Sequence, residues 1–467
     1  MNTKPSSSVS DRYAHKGDLT TGSVSRHLVR MTIPMIWGLL AVISGQLANT
    51  YFISLMQDTK ILAGISFTFP ITMLISHMVF GVNIALSSVI SRLIGAKDME
   101  DTRRVVLHGI MMAFVISLVI ALVTFLSLKP LFFLLGADET TYPAIAAYMP
   151  LWLVASVVLS IPVNANSAMR AAGDTRIPAM IMMGIAVINV ALDPILIFGL
   201  FGFPEMGVHG AAIATLTAYS MGLFPALYVL IVKKNLMAID GCHWDKLGDS
   251  LRRLLVIAIP AGIANIIIPA SNAVILAMLS HYGSEAVAAY GVVTRVEAFA
   301  FLLVLALSIG MAPIVGQNWG AGHYGRVHKT IDLAIGFNLG WSLFVAVLLA
   351  VFAGSIGRGF SADPAVQHYV DLFLWIVPIS YGFGNLVFGW SSALNAMGKP
   401  REAFMIIFMK AFVFTLPAVY VGGLLGGVFG VVCALALANV VSGVVFHVIT
   451  NKRCKAEEKG AKQGLVA

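Results

Sequence analysis

The sequence predicts an all-α membrane protein in which twelve transmembrane helices form two homologous six-helix bundles. Three observations carry that prediction. Hydrophobic residues make up 58% of the 467-residue chain and charged residues only 11%, with a mean hydropathy of +0.89, whereas soluble domains carry about 25% charged residues. The apolar residues gather in twelve runs, at 31–55, 61–91, 106–128, 144–168, 177–201, 208–232, 254–280, 286–316, 331–356, 367–393, 403–424 and 428–449, each reaching the ~20 residues that cross a bilayer as a helix. Finally, the chain repeats itself about 225 residues apart: Ser167-Ala-Met-Arg-Ala-Ala-Gly173-Asp-Thr-Arg-Ile-Pro returns as Ser392-Ala-Leu-Asn-Ala-Met-Gly398-Lys-Pro-Arg-Glu-Ala, Ile94-Gly95-Ala96 as Trp319-Gly320-Ala321, and Ile33-Pro34 as Ile259-Pro260. In hydrocarbon every backbone polar group needs a partner inside its own segment, so helices follow, and the period-2 alternation of a barrel is missing.

Taken in order, residues 1–27 are polar and Ser-rich and lack the apolar core and small-residue cleavage site of a signal peptide, so they are expected to be a cytoplasmic tail. Within and just after it, Leu19 to Met31 mixes basic and apolar residues and is expected to lie along the membrane interface. The first bundle is expected over 28–238, a cytoplasmic linker over 239–253, the second bundle over 254–450 and a second cytoplasmic tail over 451–467. Basic residues orient the spans. Arg92, Lys97, Arg103, Arg104, Arg170, Arg176, Lys233, Lys234, Arg252, Arg253, Arg326, Lys329, Lys399 and Arg401 fall on one side with both termini, and only Lys60, Lys129 and Arg358 on the other. That asymmetry puts both termini in the cytoplasm. It also explains the formal charge of +8 by short loops facing anionic lipid, so no nucleic-acid partner is expected. In the linker, Cys242 and His243 are two adjacent ligands and make no metal site; Cys433 and Cys454 are isolated, so neither a metal nor a disulfide framework is expected. The chain has no phosphate-binding loop, no zinc-binding helix and no nucleophile elbow, so it is not expected to be an enzyme. Its 43 glycines are scattered through the spans, as close helix packing requires.

Polar groups inside the spans narrow the function. An acid at the centre of a span costs about 2.5–3.5 kcal/mol, so each should have a use or a partner. Asp193, in the fifth span, follows Asn189 by four residues and precedes Pro194, which cannot donate to the carbonyl of Val190. Carboxylate, amide and freed carbonyl suit a proton or small cation; the alternative is an Asp that ties down a proline kink. Asn164, Asn166 and Tyr148 of the fourth span and Thr215 and Thr217 of the sixth supply companions. At the 225-residue offset Asp193, Asn189 and Asn166 become Ala418, Phe414 and Ser391, so the second half shares the scaffold without this polar set. It has its own charges: Arg295 and Glu297 of the eighth span, two apart and therefore on nearly opposite sides of a helix, and Lys410 of the eleventh. Glu297 is expected either to recognise cations or to bridge to Lys410. His77 is a proton carrier or a packing residue, and Trp37, Phe67, Phe69, Phe301 and Trp390 line a cavity or fill the core.

Together Leu19-Thr-Thr-Gly ahead of Ile33-Pro34, the loops at Gly95-Ala and Gly320-Ala, Arg170-Ala-Ala-Gly173-Asp-Thr, Leu192-Asp193-Pro194 and Gly207-x-x-Gly-Ala-Ala-Ile-Ala-Thr215 resemble the MATE family of multidrug and toxic-compound exporters, from about residue 19 to 450. Lacking acids in the middle of spans seven and ten, the chain looks closer to the DinF-like branch than to NorM. The resemblance implies a cation-coupling site on Asp193, Asn189, Asn166 and Tyr148, with Thr215 nearby. Family members commonly carry an aspartate fifteen residues after the first-span proline, and Asn49 stands there in this chain. An amide keeps the hydrogen bonding and loses the titratable charge, which leaves Asp193 as the proton carrier and weakens the case for sodium.

The expected function is therefore multidrug efflux from a bacterial inner membrane, by a multi-pass monomer that exchanges inward protons, or sodium, for bulky cationic amphiphiles. No cofactor is expected beyond the coupling ion. Drug-like small molecules and membrane lipid are the expected partners. Two homologous halves suit rocking of one bundle against the other around a central site, and Asn49, Gln46, Glu297 and Arg295 are the candidates for substrate contact. A flippase of lipid-linked saccharides is the alternative within transport, and a non-transporting receptor or scaffold the alternative outside it.

Overall fold

The structure, a computed structural model, describes residues 17–56, 59–237 and 243–462 and is almost wholly helical there. The first half comprises α1 (Val24–Ser54), α2 (Thr59–Gly95), α3 (Met99–Leu126), α4 (Tyr142–Ala171), α5 (Arg176–Phe198) and α6 (Gly207–Tyr228). The second comprises α7 (Leu247–Leu279), α8 (Ser284–Ala300), α9 (Leu302–Gly320), α10 (Tyr324–Phe360), α11 (Pro364–Ile376), α12 (Tyr381–Ala396), α13 (Pro400–Met409) and α14 (Leu416–Lys462). Among the described residues eleven helical runs are long and apolar enough to cross a membrane. The last of them reverses at Gly426 and Gly427, where φ is −145° and +57°, and so crosses twice, which makes twelve crossings. Only glycine adopts the Gly427 conformation readily. Across that turn a Cβ on Gly430 would overlap the Gly422 carbonyl, so the two legs lie backbone to backbone.

Three crossings of the second half are interrupted, each with a visible cause. Between α8 and α9 the chain bends at Phe301, and the Trp341 indole donates to the Ala300 carbonyl at 3.2 Å, which satisfies a group that hydrocarbon would leave bare. Between α11 and α12 the turn Val377–Ser380 contains Pro378, which has no N–H to give. From Lys410 to Thr415 the helix widens by an extra residue per turn, a feature that recurs at functional sites. Residues 244–253, read as linker, are helical and belong to the approach to α7, while Cys242 lies outside the described residues.

Among the described residues the close contacts between the halves lie toward the end that carries Arg92, Arg170 and Arg326, called the basic end below. There α2 packs on α7 and α1 on α9 through glycines. A Cβ on Gly81 would stand 2.5 Å from the Ala258 carbonyl oxygen, and one on Gly310 would stand 2.9 Å from Thr32 Oγ1. At the other end α1, α7 and α8 expose Gln46, Thr50, Asn272 and Arg295, polar side chains suited to a cleft between two lobes that rock against each other.

Leu19 does not lie along the membrane interface as expected. It is fully buried, and the segment 17–22 is wedged between the lobes at the basic end. The Leu19 N–H donates to Gln317 Oε1 at 2.9 Å, and its carbonyl accepts from Asn318 Nδ2 at 3.0 Å. Gln317 Nε2 donates across to the Ala171 carbonyl of α4 at 2.7 Å. Arg326 donates to the carbonyls of Leu19, Thr21 and Gly22 at 3.1, 3.1 and 2.8 Å. A strap of irregular backbone is tolerated in this buried place because side chains of α9 and α10 pair its polar groups.

Candidate functional site

Small residues on α1 and α5 build the polar centre of the first lobe. Gly38 packs on Ala179 and Gly45 on Ala186, a parallel register from which Asn49, one turn after Gly45, reaches Asp193, two turns after Ala186. Asp193 is 0% exposed. Asn49 Nδ2 lies 3.3 Å from Asp193 Oδ1 and 3.2 Å from Oδ2, donating to the carboxylate. One turn below Asp193, Asn189 Nδ2 donates to Thr215 Oγ1 at 3.2 Å, and that hydroxyl donates to the Ala211 carbonyl at 3.0 Å. Tyr148 of α4 and Tyr219 of α6 interact electrostatically with the carboxylate.

Tyr219 was not singled out in the sequence, although it stands four residues after Thr215 and therefore on the same face of α6. Asn166 does not join the site. It sits 18 residues after Tyr148 on α4, about 27 Å along the axis at 1.5 Å per residue, and its Oδ1 is buried without a partner. Gln46 is exposed one turn before Asn49, facing the cleft rather than Asp193. His77 is half-buried with no hydrogen bond, while Trp390 is buried and donates to His447 Nδ1 at 3.1 Å.

The second lobe holds another cluster. Tyr381, at the start of α12, donates to Glu297 Oε1 at 2.6 Å, and its ring stands 5.1 Å from that of Phe301. Lys410 donates to the Gly384 carbonyl at 2.9 Å. Glu297 and Lys410 interact electrostatically without forming an ion pair within 4.0 Å, so the expected bridge is replaced by two separate hydrogen bonds. Tyr381 was likewise missed, because nothing local in Ile379-Ser-Tyr-Gly marks it as the partner of a residue 84 positions away. Arg295 points the other way, as the two-residue spacing from Glu297 requires; it is exposed and, among the described residues, has no hydrogen bond or ion pair.

A lobe that buries one uncompensated carboxylate among amides and hydroxyls, repeated in outline but not in chemistry by a second lobe, is a transporter's arrangement. The MatE family model matches residues 34–195 and again 260–421, one match per lobe. The chain belongs to the MatE family. It is a multi-pass membrane transporter and not an enzyme. It is 35% identical to a FAD transporter of Shewanella oneidensis over 94% of this chain and 96% of that protein. It is 27% identical to the multidrug export protein MepA of Staphylococcus aureus over 89% of this chain and 91% of that one. A point-mutant crystal structure of the Vibrio cholerae MATE transporter VcmN superposes with a TM-score of 0.89 at 31% identity, covering 94% of this chain and 99% of that one. The two-lobe MATE fold is thus shared along nearly the whole chain.

Proposed function

We propose that this chain is an inner-membrane antiporter that exports a bulky organic solute in exchange for inward protons, with Asp193 as the proton carrier and the basic end in the cytoplasm. The geometry around Asp193 carries the reading. A fully buried carboxylate held by one amide donor and, among the described residues, paired with no cationic side chain is expensive in hydrocarbon, and a proton relieves that cost. Loss of the proton restores the charge, so the protonated and deprotonated forms favour different packings of α1 on α5 and bias the two lobe arrangements. Asn49 in place of a second acid leaves too little negative charge for a tightly held sodium ion. Positive charge on the loops of the basic end supports the orientation.

For the solute, two relatives suggest different chemistry: MepA exports drugs, and the Shewanella protein is a FAD transporter. Arg295 favours the second. It is an exposed cation without a partner within a membrane-crossing helix at the cleft, whereas Glu297, the residue suited to cationic drugs, is turned into the lobe onto Tyr381. A flavin dinucleotide offers a diphosphate for the arginine and two aromatic ring systems for the cleft. Vesicles containing the purified protein, loaded with FAD or with ethidium and given an imposed pH or sodium gradient, test both parts. Proton-driven efflux that Asp193→Asn abolishes at equal incorporation is expected, with FAD preferred and the preference lost in Arg295→Gln. Strict sodium dependence would overturn the coupling, and ethidium efflux untouched by Arg295→Gln would return the substrate to cationic drugs.

A further inference from the structure

A cavity of about 810 Å³ lies between the lobes at the basic end, away from both polar clusters. Its walls carry Arg92 from the end of α2, Asp249, Arg252, Arg253 and Val256 from α7, and Trp319 from the end of α9. The charges do not balance. Arg253 Nη1 pairs with Asp101 Oδ2 at 2.7 Å, but that carboxylate is shared with Arg104. Arg92 is half-buried, and its one hydrogen bond is Nε to the Ser88 carbonyl of its own helix at 3.2 Å. Its guanidinium lies against Gly398 of the other lobe, where a Cβ would collide with it. Among the described residues Arg252 has neither a hydrogen bond nor an ion pair, and Asp249 pairs with none of the three arginines. A half-buried guanidinium that no carboxylate side chain among the described residues pairs is costly, and here it is one of three arginines lining the cavity.

The cavity is apolar on its remaining sides. Val256 is 52% exposed on the outer face of α7, continued by Ile259 at 56%. Trp319 forms a wall, with Lys399 Nζ 5.1 Å from its ring centroid. Guanidiniums beside an outward-facing apolar strip and a tryptophan suit a ligand with an anionic head at the water boundary and an acyl chain in the bilayer.

We propose that this cavity binds the phosphodiester of an anionic phospholipid through Arg92, Arg252 and Arg253. Since Arg92 belongs to the first lobe and the other two arginines and Trp319 to the second, the lipid would tie the lobes together at the basic end. It would favour the state in which the cleft opens at the opposite end, by binding that state and not the one with the basic ends parted. The site is separate from the coupling and solute residues, so it stands whichever solute is carried.

The test uses the purified full chain and native mass spectrometry with phosphatidylglycerol, phosphatidylcholine or inorganic phosphate. Phosphatidylglycerol should be retained in preference to phosphatidylcholine. Arg252→Gln and Arg92→Gln should each weaken that preference about fivefold, the effect of losing one basic group near an anionic lipid, and Arg401→Gln, outside the cavity, should not. Arg252 is exposed and makes no hydrogen bond or ion pair among the described residues, so its variant keeps the test decisive even if Arg92→Gln folds poorly. Inorganic phosphate that displaces phosphatidylglycerol and raises the melting temperature equally would uphold the anion site and assign it to a soluble ligand. Equal retention of the two lipids by the parent, or an undiminished preference in Arg252→Gln, would overturn the proposal.

Discussion

Replacing Gln317 by Ala should open the basic end. Gln317 is 1% exposed and joins three parts of the molecule: its Oε1 accepts from the Leu19 N–H at 2.9 Å, and its Nε2 donates to the Ala171 carbonyl at 2.7 Å. Gln317→Ala leaves that N–H and that carbonyl buried without partners, at about 1–3 kcal/mol each. The cost falls only on the arrangement in which the lobes meet at this end, because parting them lets water reach both groups. The total of about 2–6 kcal/mol shifts the ratio of the two arrangements by roughly 30-fold to roughly 10⁴-fold, at 1.36 kcal/mol per factor of ten. Spin labels at Glu100 and Lys329, one exposed site on each lobe at this end, would report the change in detergent or nanodiscs. The parent should give a short, narrow distance distribution and the variant a longer population that dominates. An unchanged distribution in a folded Gln317→Ala protein would refute the strap's role in holding the lobes together.

Other outcomes follow from the remaining sites. Asn49→Asp puts a second carboxylate where the amide now lies 3.2 and 3.3 Å from Asp193; two such acids cannot both ionise without a cation, so sodium should raise the variant's melting temperature and support its transport, and an unchanged sodium response would refute this. In double-mutant cycles read by thermal melting, Glu297→Gln should couple more strongly to Tyr381→Phe than to Lys410→Met, because only the tyrosine donates directly to the carboxylate, a bond worth about 1.5–3 kcal/mol; the reverse order would restore the Glu297 to Lys410 bridge. In the loop before α4, the Thr140 hydroxyl and then the Thr141 hydroxyl and N–H hold the Asp138 carboxyl down to about 2 from its usual 3.8. A group lowered in the folded state adds stability above its ordinary value and loses it as pH falls through its folded value, so the Thr140 and Thr141 amides should exchange faster in Asp138→Asn than in the parent at neutral pH, with the difference narrowing as pH falls to about 2. Equal exchange at both pH values would count against the loop's reliance on this carboxylate.

The sequence by itself determined the membrane fold and the location of its costly charge. A helix in hydrocarbon satisfies its own backbone, so length and apolarity decide that it forms, whatever its neighbours are; hence the crossings, the repeat and Asp193 with Asn189 were legible from local pattern, whereas Thr215 was placed near them only by the family resemblance. What only the tertiary structure decided is which polar group meets which. Asn49 reaches Asp193 because Gly38 and Gly45 set α1 in register on α5, and Tyr381, 84 positions away, rather than Lys410 donates to Glu297. Asn166, the right residue type on the right helix, falls outside the site because 18 residues of α4 separate it from Tyr148. The strap at 17–22 reads as an interfacial tail in one dimension and becomes the buried join between lobes only when Gln317, Asn318 and Arg326, some 300 residues away, supply the hydrogen bonds that its irregular backbone lacks. Such partners are set by side-chain packing between distant helices, a non-local quantity that neither hydropathy nor spacing records.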